Sequence, residues 1–585
     1  MCAVLVYDPK LIDHFLHSRF LATSIFLLTF SAICFWFYRK GPVKLSWLDI
    51  SVILFCSWNL VSLGWAEHLA EGLFAAEKWI LFSGGYFIIR VIFRQDIETV
   101  ISYLPKVSRI ATLYILLIIT YELATLLADG SYNNTSLYEL QRLFGHRSLI
   151  AGFLMLLIPL NLLDVKVRGA LFTPISALIG WQVVVIIMLQ SRAVYLGLFV
   201  MLAIIGMYSW RKRNEWLSPA LSRQVVSVMS LMILGVVIIL ITNPSLRDRV
   251  NPLNYATAQT GYERRLIWIK SANMVKDHPI IGVGSGNWKM LFPGYGLEGS
   301  YRMQDQQVVF TRVHNDFLEI LVELGGIGLL IYIAVFLVAW YRLWRSSDKP
   351  TWQQLMVGSG LASFAVVSLI DFPKERIEFI LLLALYLALT DLLTKRTSGF
   401  RFGINKGIIL GVLGAALCFI GWTGLARYHG ELKTKEMLKA RASQQWEKVI
   451  LLSREAQSRW YNVDHATTPL LFYSGIAQYH LGDLDQAEED FRRGLAIHPH
   501  HFQLHNNLST VLLQKKNFSE AIVHLEEALR INDRFEDALF NLAFCYYSMK
   551  DFEQAKQVVQ RIPTDSEKKQ AFTQEITKAL QDNPD

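Results

Sequence analysis

Residues 310–333 read FTRVHNDFLEILVELGGIGLLIYI. A polar strip holding Arg312 and His314 turns, within a dozen residues, into a run apolar enough to enter a bilayer. A titratable group is thereby set near the depth of a membrane surface, at the end of a long polar loop. Chemistry on a lipid-borne substrate needs groups at that depth.

Outward from this stretch the chain is mostly membrane. Of its 585 residues 53% are hydrophobic, and the mean hydropathy is +0.31; soluble domains are seldom so apolar. Runs of roughly 18 apolar residues suffice to cross a bilayer core as helices. They are expected near 20–38, 47–64, 73–93, 107–127, 148–163, 170–189, 193–210, 224–242, 325–342, 353–370, 376–393 and 404–424. The first reads as retained, because Arg39 and Lys40 follow it rather than a small-residue cleavage site. The formal net charge is +8. In a membrane protein such an excess belongs at cytoplasmic helix ends. No basic stripe interleaved with aromatics points to nucleic acid. Cys2, Cys34, Cys56, Cys418 and Cys545 are scattered without pairing or metal-ligand spacing.

Short-loop basic residues set the orientation. Arg39, Lys40 and Lys44, then Arg90, Arg94 and Lys106, mark cytoplasmic connections. So do Lys166 with Arg168, Arg211 to Arg213, Arg342 with Arg345 and Lys349, and Lys395 with Arg396 and Arg401. The intervening connections are poorer in Lys and Arg. This alternation puts the N-terminus, the loop 243–324 and everything after 424 on the non-cytoplasmic side. Residues 243–313 hold nine Lys and Arg against five Asp and Glu. Loops longer than about 60 residues escape the charge rule, so a basic loop on the outer side calls for another reason, such as an anionic ligand.

After Gly424 the character changes. From about Thr467 the chain repeats every 34 residues: Leu484, Phe518 and Phe552 are in register, as are Ala487, Ala521 and Ala555, and Phe491, Leu525 and Val559. That period is the tetratricopeptide signature, and such solenoids bind protein partners or serve as structural caps. The expected fold class is therefore all-α: a polytopic membrane protein of about twelve transmembrane helices with a C-terminal α-solenoid. The expected domains are a membrane domain over 1–424, a linker with a degenerate helix pair over 425–466, and repeats over 467–585.

Arg264, Trp268 and Ala272 recur at helical spacing, so 262–276 reads as an amphipathic helix ended by Asp277-His278-Pro279. His278 reads as part of that turn. Gly282-Val-Gly-Ser-Gly286 lacks the Lys-Ser/Thr of a nucleotide loop and reads as a flexible turn. Glu77 and Lys78 sit inside a span, where they pair with each other or face the bundle interior. Glu319 and Glu323 lie one turn apart after His314; they orient it or cap the helix start. Asp483-Leu-Asp485 is the one Asp-x-Asp pair of the kind that holds a divalent metal, and it falls in a turn within a repeat.

Three sets of residues together resemble the O-antigen ligase and polymerase superfamily of bacterial membrane glycosyltransferases. They are Ser191-Arg192-Ala193, the stretch from Arg264-x-x-x-Trp268 to His278-Pro-x-x-Gly-Val-Gly284, and His314-Asn315-Asp-Phe-Leu with Glu323-x-Gly-Gly-Ile-Gly328. With flanking spans the likeness extends over about 20–424; the repeats are not part of the shared core. The resemblance implies transfer of a whole glycan from undecaprenyl diphosphate to an acceptor hydroxyl at the periplasmic face of the bacterial inner membrane. A leaving diphosphate is stabilised by preorganised cations, above all arginine. Arg192 and Arg264 fit best, with Arg265 the alternative if the register slips by one. Arg147 is a candidate by position at the outer end of a span. Arg312 is a further phosphate contact or an interfacial charge. His314 is the expected general base, with Asn315, Glu319 and Glu323 as candidate orienting groups.

The expectation is an O-antigen ligase-like, inverting transferase using no metal and no other cofactor. Its acceptor is core lipid A, a second lipid-linked glycan in a polymerase, or a polypeptide hydroxyl in a protein O-oligosaccharyltransferase. From another class, the chain is a non-catalytic repeat scaffold for glycan assembly.

Overall fold

The computed structural model describes residues 6–93, 96–132, 136–137, 140, 143–165, 174–211, 259–304, 309–345, 351–394 and 403–582. The membrane part contains helices α1 (Leu16–Tyr38), α2 (Trp47–Val61), α3 (Leu69–Phe93), α4 (Ile97–Ala128), α5 (Arg147–Asn161), α6 (Pro174–Met188) and α7 (Arg192–Arg211). It continues with α8 (Gln259–Asp277), α9 (Asp316–Arg345), α10 (Trp352–Ser368), α11 (Ile377–Leu393) and α12 (Lys406–Ala442). The span expected at 224–242 lies outside the described residues. By length and composition, five helices among the described residues are able to cross a membrane: α1, α2 with its 3-10 extension to Gly64, α4, α9 and α12. Arg147–Asn161, Pro174–Met188 and Arg192–Met207 are shorter apolar helices.

α3 is the central helix, and it carries four charges that look costly in lipid. Each has a partner. Arg427 and Lys289 pair with Glu71. Glu77 accepts the Thr423 hydroxyl at 2.6 Å, and Lys78 reaches Glu375 at 2.5 Å. Arg90 joins Asp49 at 2.6 Å and Asp391 at 2.7 Å. Glu77 and Lys78 thus face the bundle interior and pair elsewhere rather than with each other.

The end holding Arg90 also holds Arg342, which meets Asp391 at 2.6 Å, and a two-stranded clip. There β1 (Pro42–Lys44) pairs antiparallel with β2 (Gly403–Asn405). The clip closes α1 against α12, whose N-terminal Gly407 N–H donates to the Arg39 carbonyl at 3.1 Å. α12 then runs unbroken through residue 424, the boundary expected from composition, to Ala442. At 1.5 Å per residue, its 37 residues extend well past the roughly 30 Å of a bilayer core. The degenerate helix pair expected within 425–466 coincides with the outer part of α12 and with α13 (Trp446–Ala456).

The repeats follow as α14 (Leu470–Leu481), α15 (Leu484–Ile497), α16 (Phe502–Gln514), α17 (Phe518–Ile531), α18 (Glu536–Ser548) and α19 (Phe552–Gln560), closed by α20 (Glu567–Asp582). Leu484, Phe518 and Phe552 each open the second helix of a pair, and Ala487, Ala521 and Ala555 are fully buried. The loop after α8 reaches beyond the membrane bundle as well. Trp288, Phe292 and Leu297 share one hydrophobic core with Leu504, Leu529 and Ile531 of the repeats. Leu297 N–H donates to the Ile531 carbonyl at 2.8 Å, and Arg530 to the Gly294 carbonyl at 2.9 Å.

α9 is two helices joined at Gly325, where φ is 67°. A break leaves backbone groups without intrahelical partners, and five of them are met here. The Val322 and Glu323 carbonyls accept Val283 N–H at 3.0 Å and Gly284 N–H at 2.8 Å. The Trp58 indole donates to the Leu324 carbonyl at 2.9 Å. Gly326 N–H donates to Pro279 at 2.9 Å and Ile327 N–H to Ile280 at 3.3 Å. The Gly282–Gly286 stretch is thus a buried brace rather than a flexible turn, because its backbone must touch the backbone of α9. A Cβ on Gly325 would fall 2.1 Å from the Ile280 oxygen. Gly325→Ala is expected to cost about 2 kcal/mol or more. Gly180→Ala, in α6 with nothing within 4 Å, should be neutral or slightly stabilising. Thermal unfolding in detergent, followed by tryptophan fluorescence, compares the two.

Candidate active site

At the end of the bundle opposite the β1–β2 clip lies a cavity of about 890 Å³. Its walls come from the chain before α1 (Asp13), the starts of α5 and α7, from α8, the strip 309–314, the 370–376 turn and His465. Each belongs to a connection or terminus that the charge alternation assigns to the non-cytoplasmic side. Six arginines line it, Arg147, Arg192, Arg264, Arg302, Arg312 and Arg376, against four carboxylates, Asp13, Glu263, Asp371 and Glu375.

Two of the arginines open helices whose positive dipole ends sit at the cavity. α5 begins at Arg147, with His146 as its N-cap. α7 begins at Arg192, after a three-residue reversal in which Gln190 takes φ 54°. Unsatisfied N–H groups and the macrodipole make such ends receptive to anions. Arg264 reaches in from α8, donating to the Ile370 carbonyl at 3.3 Å, whereas its neighbour Arg265 is exposed and outside the cavity. Four residues on, the Trp268 indole donates to the Val313 carbonyl at 2.9 Å. The Arg264-x-x-x-Trp268 spacing thus gives one helix face two tasks: a guanidinium in the cavity and an anchor for the strip beside His314.

That strip is fixed on both sides. The Val313 N–H donates to Glu319 at 3.0 Å. Asn315 caps α9, its amide oxygen accepting the Leu318 N–H at 3.0 Å. His314 lies between them at φ 58°, with its ring edge-on to Phe372 at 4.9 Å. Burial, with Arg264, His146, Arg312 and Arg302 around it, pulls the imidazole down to about 3. It is neutral at ordinary pH, and its buried Nδ1 has no hydrogen-bond partner among the described residues. Burial and the charges of Arg147, Arg264 and Arg376 likewise hold His146 at about 4.

Glu319 and Glu323 lie outside the cavity walls. Glu319 acts on His314 through the backbone of Val313, and its other oxygen takes the Lys374 ammonium at 2.6 Å. Glu323 accepts from the Trp288 N–H at 3.4 Å. Arg312 donates to the Thr311 carbonyl at 2.7 Å and meets Glu375 at 2.8 Å. Glu375 also holds Lys78 at 2.5 Å and Lys374 at 3.0 Å. Burial pushes the Glu375 carboxyl up, but Arg312, Lys78 and Lys374 overcome it and hold the group well below its ordinary range.

Sequence reasoning brought Arg147, Arg192, Arg264, Arg312 and His314 to the cavity and missed Asp13, His146, Arg302, Asp371, Glu375, Arg376 and His465. One signal was present: Asp371-Phe-Pro-Lys-Glu-Arg376 packs four charges into a tight turn on the same side as His314. Asp483 caps α15, accepting the Gln486 N–H at 3.1 Å, and Asp485 pairs with Lys515 at 2.5 Å. No group of three or more His, Cys, Asp and Glu suited to a metal ion occurs among the described residues.

Residues 175–333 match the O-antigen ligase family, and residues 512–572 match a tetratricopeptide repeat family. The first window contains Arg192, Arg264, Arg265, Arg312, His314, Asn315, Glu319 and Glu323; Arg147 precedes it. A stretch of 77 residues is 29% identical to Protein Bride of doubletime of Drosophila melanogaster, spanning 13% of this chain and 27% of that protein. The chain thus carries a segment that matches an O-antigen ligase family and, further along, one that matches tetratricopeptide repeats, on a multi-pass membrane scaffold.

Removing the shared carboxylate leaves three cations facing one another. Breaking a buried pair costs about 3–5 kcal/mol. Glu375→Gln is therefore expected to lower the unfolding temperature in detergent sharply, whereas loss of the exposed Arg493–Glu489 pair in Glu489→Gln should leave it within about a degree, since such pairs contribute little.

Proposed function

We propose that the chain transfers a glycan from undecaprenyl diphosphate to an acceptor hydroxyl at the periplasmic face of the inner membrane, as an O-antigen ligase-like enzyme. The observation that carries this is one cavity in which the neutral imidazole of His314 stands among six arginines and two helix N-termini.

The acceptor oxygen attacks the anomeric carbon, and His314 takes its proton. The bond from that carbon to the phosphate oxygen breaks, and the diphosphate leaves with the electron pair. Arg147, Arg192, Arg264 and Arg312 stabilise the charge gathering on its oxygens. A single displacement inverts the anomeric centre. Arginines here take the part that a divalent ion plays in other sugar transferases, so transfer is metal-independent. Glu319 and Asn315 hold the backbone on either side of His314 so that its nitrogen meets the acceptor. Core lipid A is the favoured acceptor; a lipid-linked glycan or a polypeptide hydroxyl would use the same groups.

The test is transfer by the purified full chain in detergent, with EDTA present, from undecaprenyl diphosphate-linked oligosaccharide to each of the three acceptors. His314→Ala should lower kcat by about 10²–10⁴-fold, and Arg264→Ala by about 10²–10³-fold. Transfer that persists in His314→Ala would remove His314 as the base. A wild type that binds donor but transfers to no acceptor would point to a scaffold.

The pH dependence has a definite sign. A general base works above its pKa, and free His314 lies at about 3. The profile of kcat/KM for the donor should therefore show no acidic limb from His314 above about pH 4. Burial, the largest cause of the shift, persists in the complex, but bound diphosphate offsets the arginine charges and raises the imidazole above its value in the free protein. The kcat profile should accordingly fall at a higher pH than kcat/KM, and parallel profiles would contradict this coupling.

A further inference from the structure

His465 reaches the cavity from the C-terminal half of the chain, 151 positions after His314 in sequence. It rides on the tip of a braced loop between α13 and the first repeat helix, α14. The loop is closed by bridges from Ser458 to Tyr461 and from Val463 to Pro469. Asp464 fixes the tip, accepting the Ala466 N–H at 2.8 Å, the Thr468 N–H at 2.9 Å and the Tyr473 hydroxyl of α14 at 2.6 Å. Thr467 takes φ 64° to close the turn. At its base, Arg427 of α12 donates to the Trp460 carbonyl at 2.7 Å. The Trp460 ring lies 5.6 Å from Trp422 and 5.8 Å from Phe419, both exposed on α12. Amphipathic rings grouped in this way suit the membrane interface. The loop is thus tied both to the last membrane helix and to the first repeat, while its tip residue remains exposed to the cavity space.

His465 feels Arg312, as His314 does, but unlike His314 it also faces a carboxylate. Its neighbour in the cavity wall is Asp13, which accepts the Phe15 and Leu16 N–H groups at 3.0 Å and pairs with Arg376 at 3.1 Å. Burial raises the Asp13 carboxyl, but Arg376 and His465 more than reverse this and hold it well below its ordinary range. An ionised carboxylate repels a diphosphate and accepts hydrogen bonds from hydroxyls. The cavity therefore offers two kinds of contact. The helix ends at Arg147 and Arg192, with Arg264, suit an anion. Asp13 and His465 suit a neutral, hydroxyl-bearing group.

We propose that the C-terminal domain supplies a wall of the substrate cavity and that His465, beside Asp13, is a substrate-contacting residue that binds hydroxyls of the acceptor. This rests on the glycan-transfer reading above. The repeats then do more than recruit: their first helix sets the position of an acceptor-binding side chain through Asp464 and Tyr473.

Steady-state transfer by the full-length protein in detergent tests it, using whichever of the three acceptors the wild type consumes. His465→Ala should raise the acceptor KM by about tenfold or more, the equivalent of one good hydrogen bond to a substrate group. The donor KM and the pH profile of kcat/KM for the donor should not move. His465→Gln, which keeps a donor and an acceptor, should recover part of the loss. An unchanged acceptor KM, or a change confined to the donor KM, would overturn the assignment while leaving the transfer reaction in place. Absence of transfer by the wild type would instead remove the reaction and this inference with it. If His465→Ala does not fold, His465→Leu against His465→Gln makes the same comparison at matched size, and equal acceptor KM values for the two would overturn it.

Discussion

Glu375 is the point on which the site is hung. Its carboxylate is shared by Lys78 of the central helix, by Arg312 of the strip before α9 and by Lys374 of its own turn. Three segments distant in sequence are therefore pulled to one place by one charge. Desolvating ions is costly, and the cost is offset only when every member is paired with good geometry. Here the pairing is complete, so the floor of the cavity is stiff. Stiffness matters for a site proposed to stabilise charge on a leaving group, because dipoles and cations already aligned need no reorganisation during reaction.

The break at Gly325 serves the same end from another direction. A continuous helix from Asp316 to Arg345 would have satisfied its own backbone and needed no partner. By breaking, α9 offers carbonyls that only the Pro279–Gly284 backbone and Trp58 can satisfy, and so it fixes the loop that leads out of α8. α8 in turn presents Arg264 and anchors Val313. The position of His314 thus follows from side chains that hydrogen-bond to the backbone on either side of it.

Much of this was legible in the sequence because it is local. The 34-residue period names the repeats and puts Ala487, Ala521 and Ala555 in their cores. Helical spacing puts Arg264 and Trp268 on one face. The switch from polar to apolar after His314 marks the membrane edge. What was not legible depends on contacts between distant segments. Nothing in the neighbourhood of Lys78 says that its partner is Glu375, and Glu77 beside it was the natural guess. The three glycines from 282 to 286 look like slack, yet they are glycines because another backbone touches them. Asp13, Arg376 and His465 each look like ordinary surface charge until the fold brings them to one wall. The helix that runs on through 424 was hidden for a different reason: hydropathy ends there, but nothing in the sequence breaks the helix.

The pairing of α1 with α12 bears on how the protein is made. The first membrane helix carries His17 and Arg19, and their partners Glu431 and Glu378 lie some 360 to 410 residues further along the chain. The β1–β2 clip, too, joins residues 42–44 to 403–405. During synthesis, α1 must wait in or beside the bilayer, with polar groups unmatched, until nearly three quarters of the polypeptide has emerged. At about 5–20 residues per second, that wait lasts tens of seconds. The ring of helices is thus closed by its last member, and a truncated chain leaves its first helix without the surface it was built to meet.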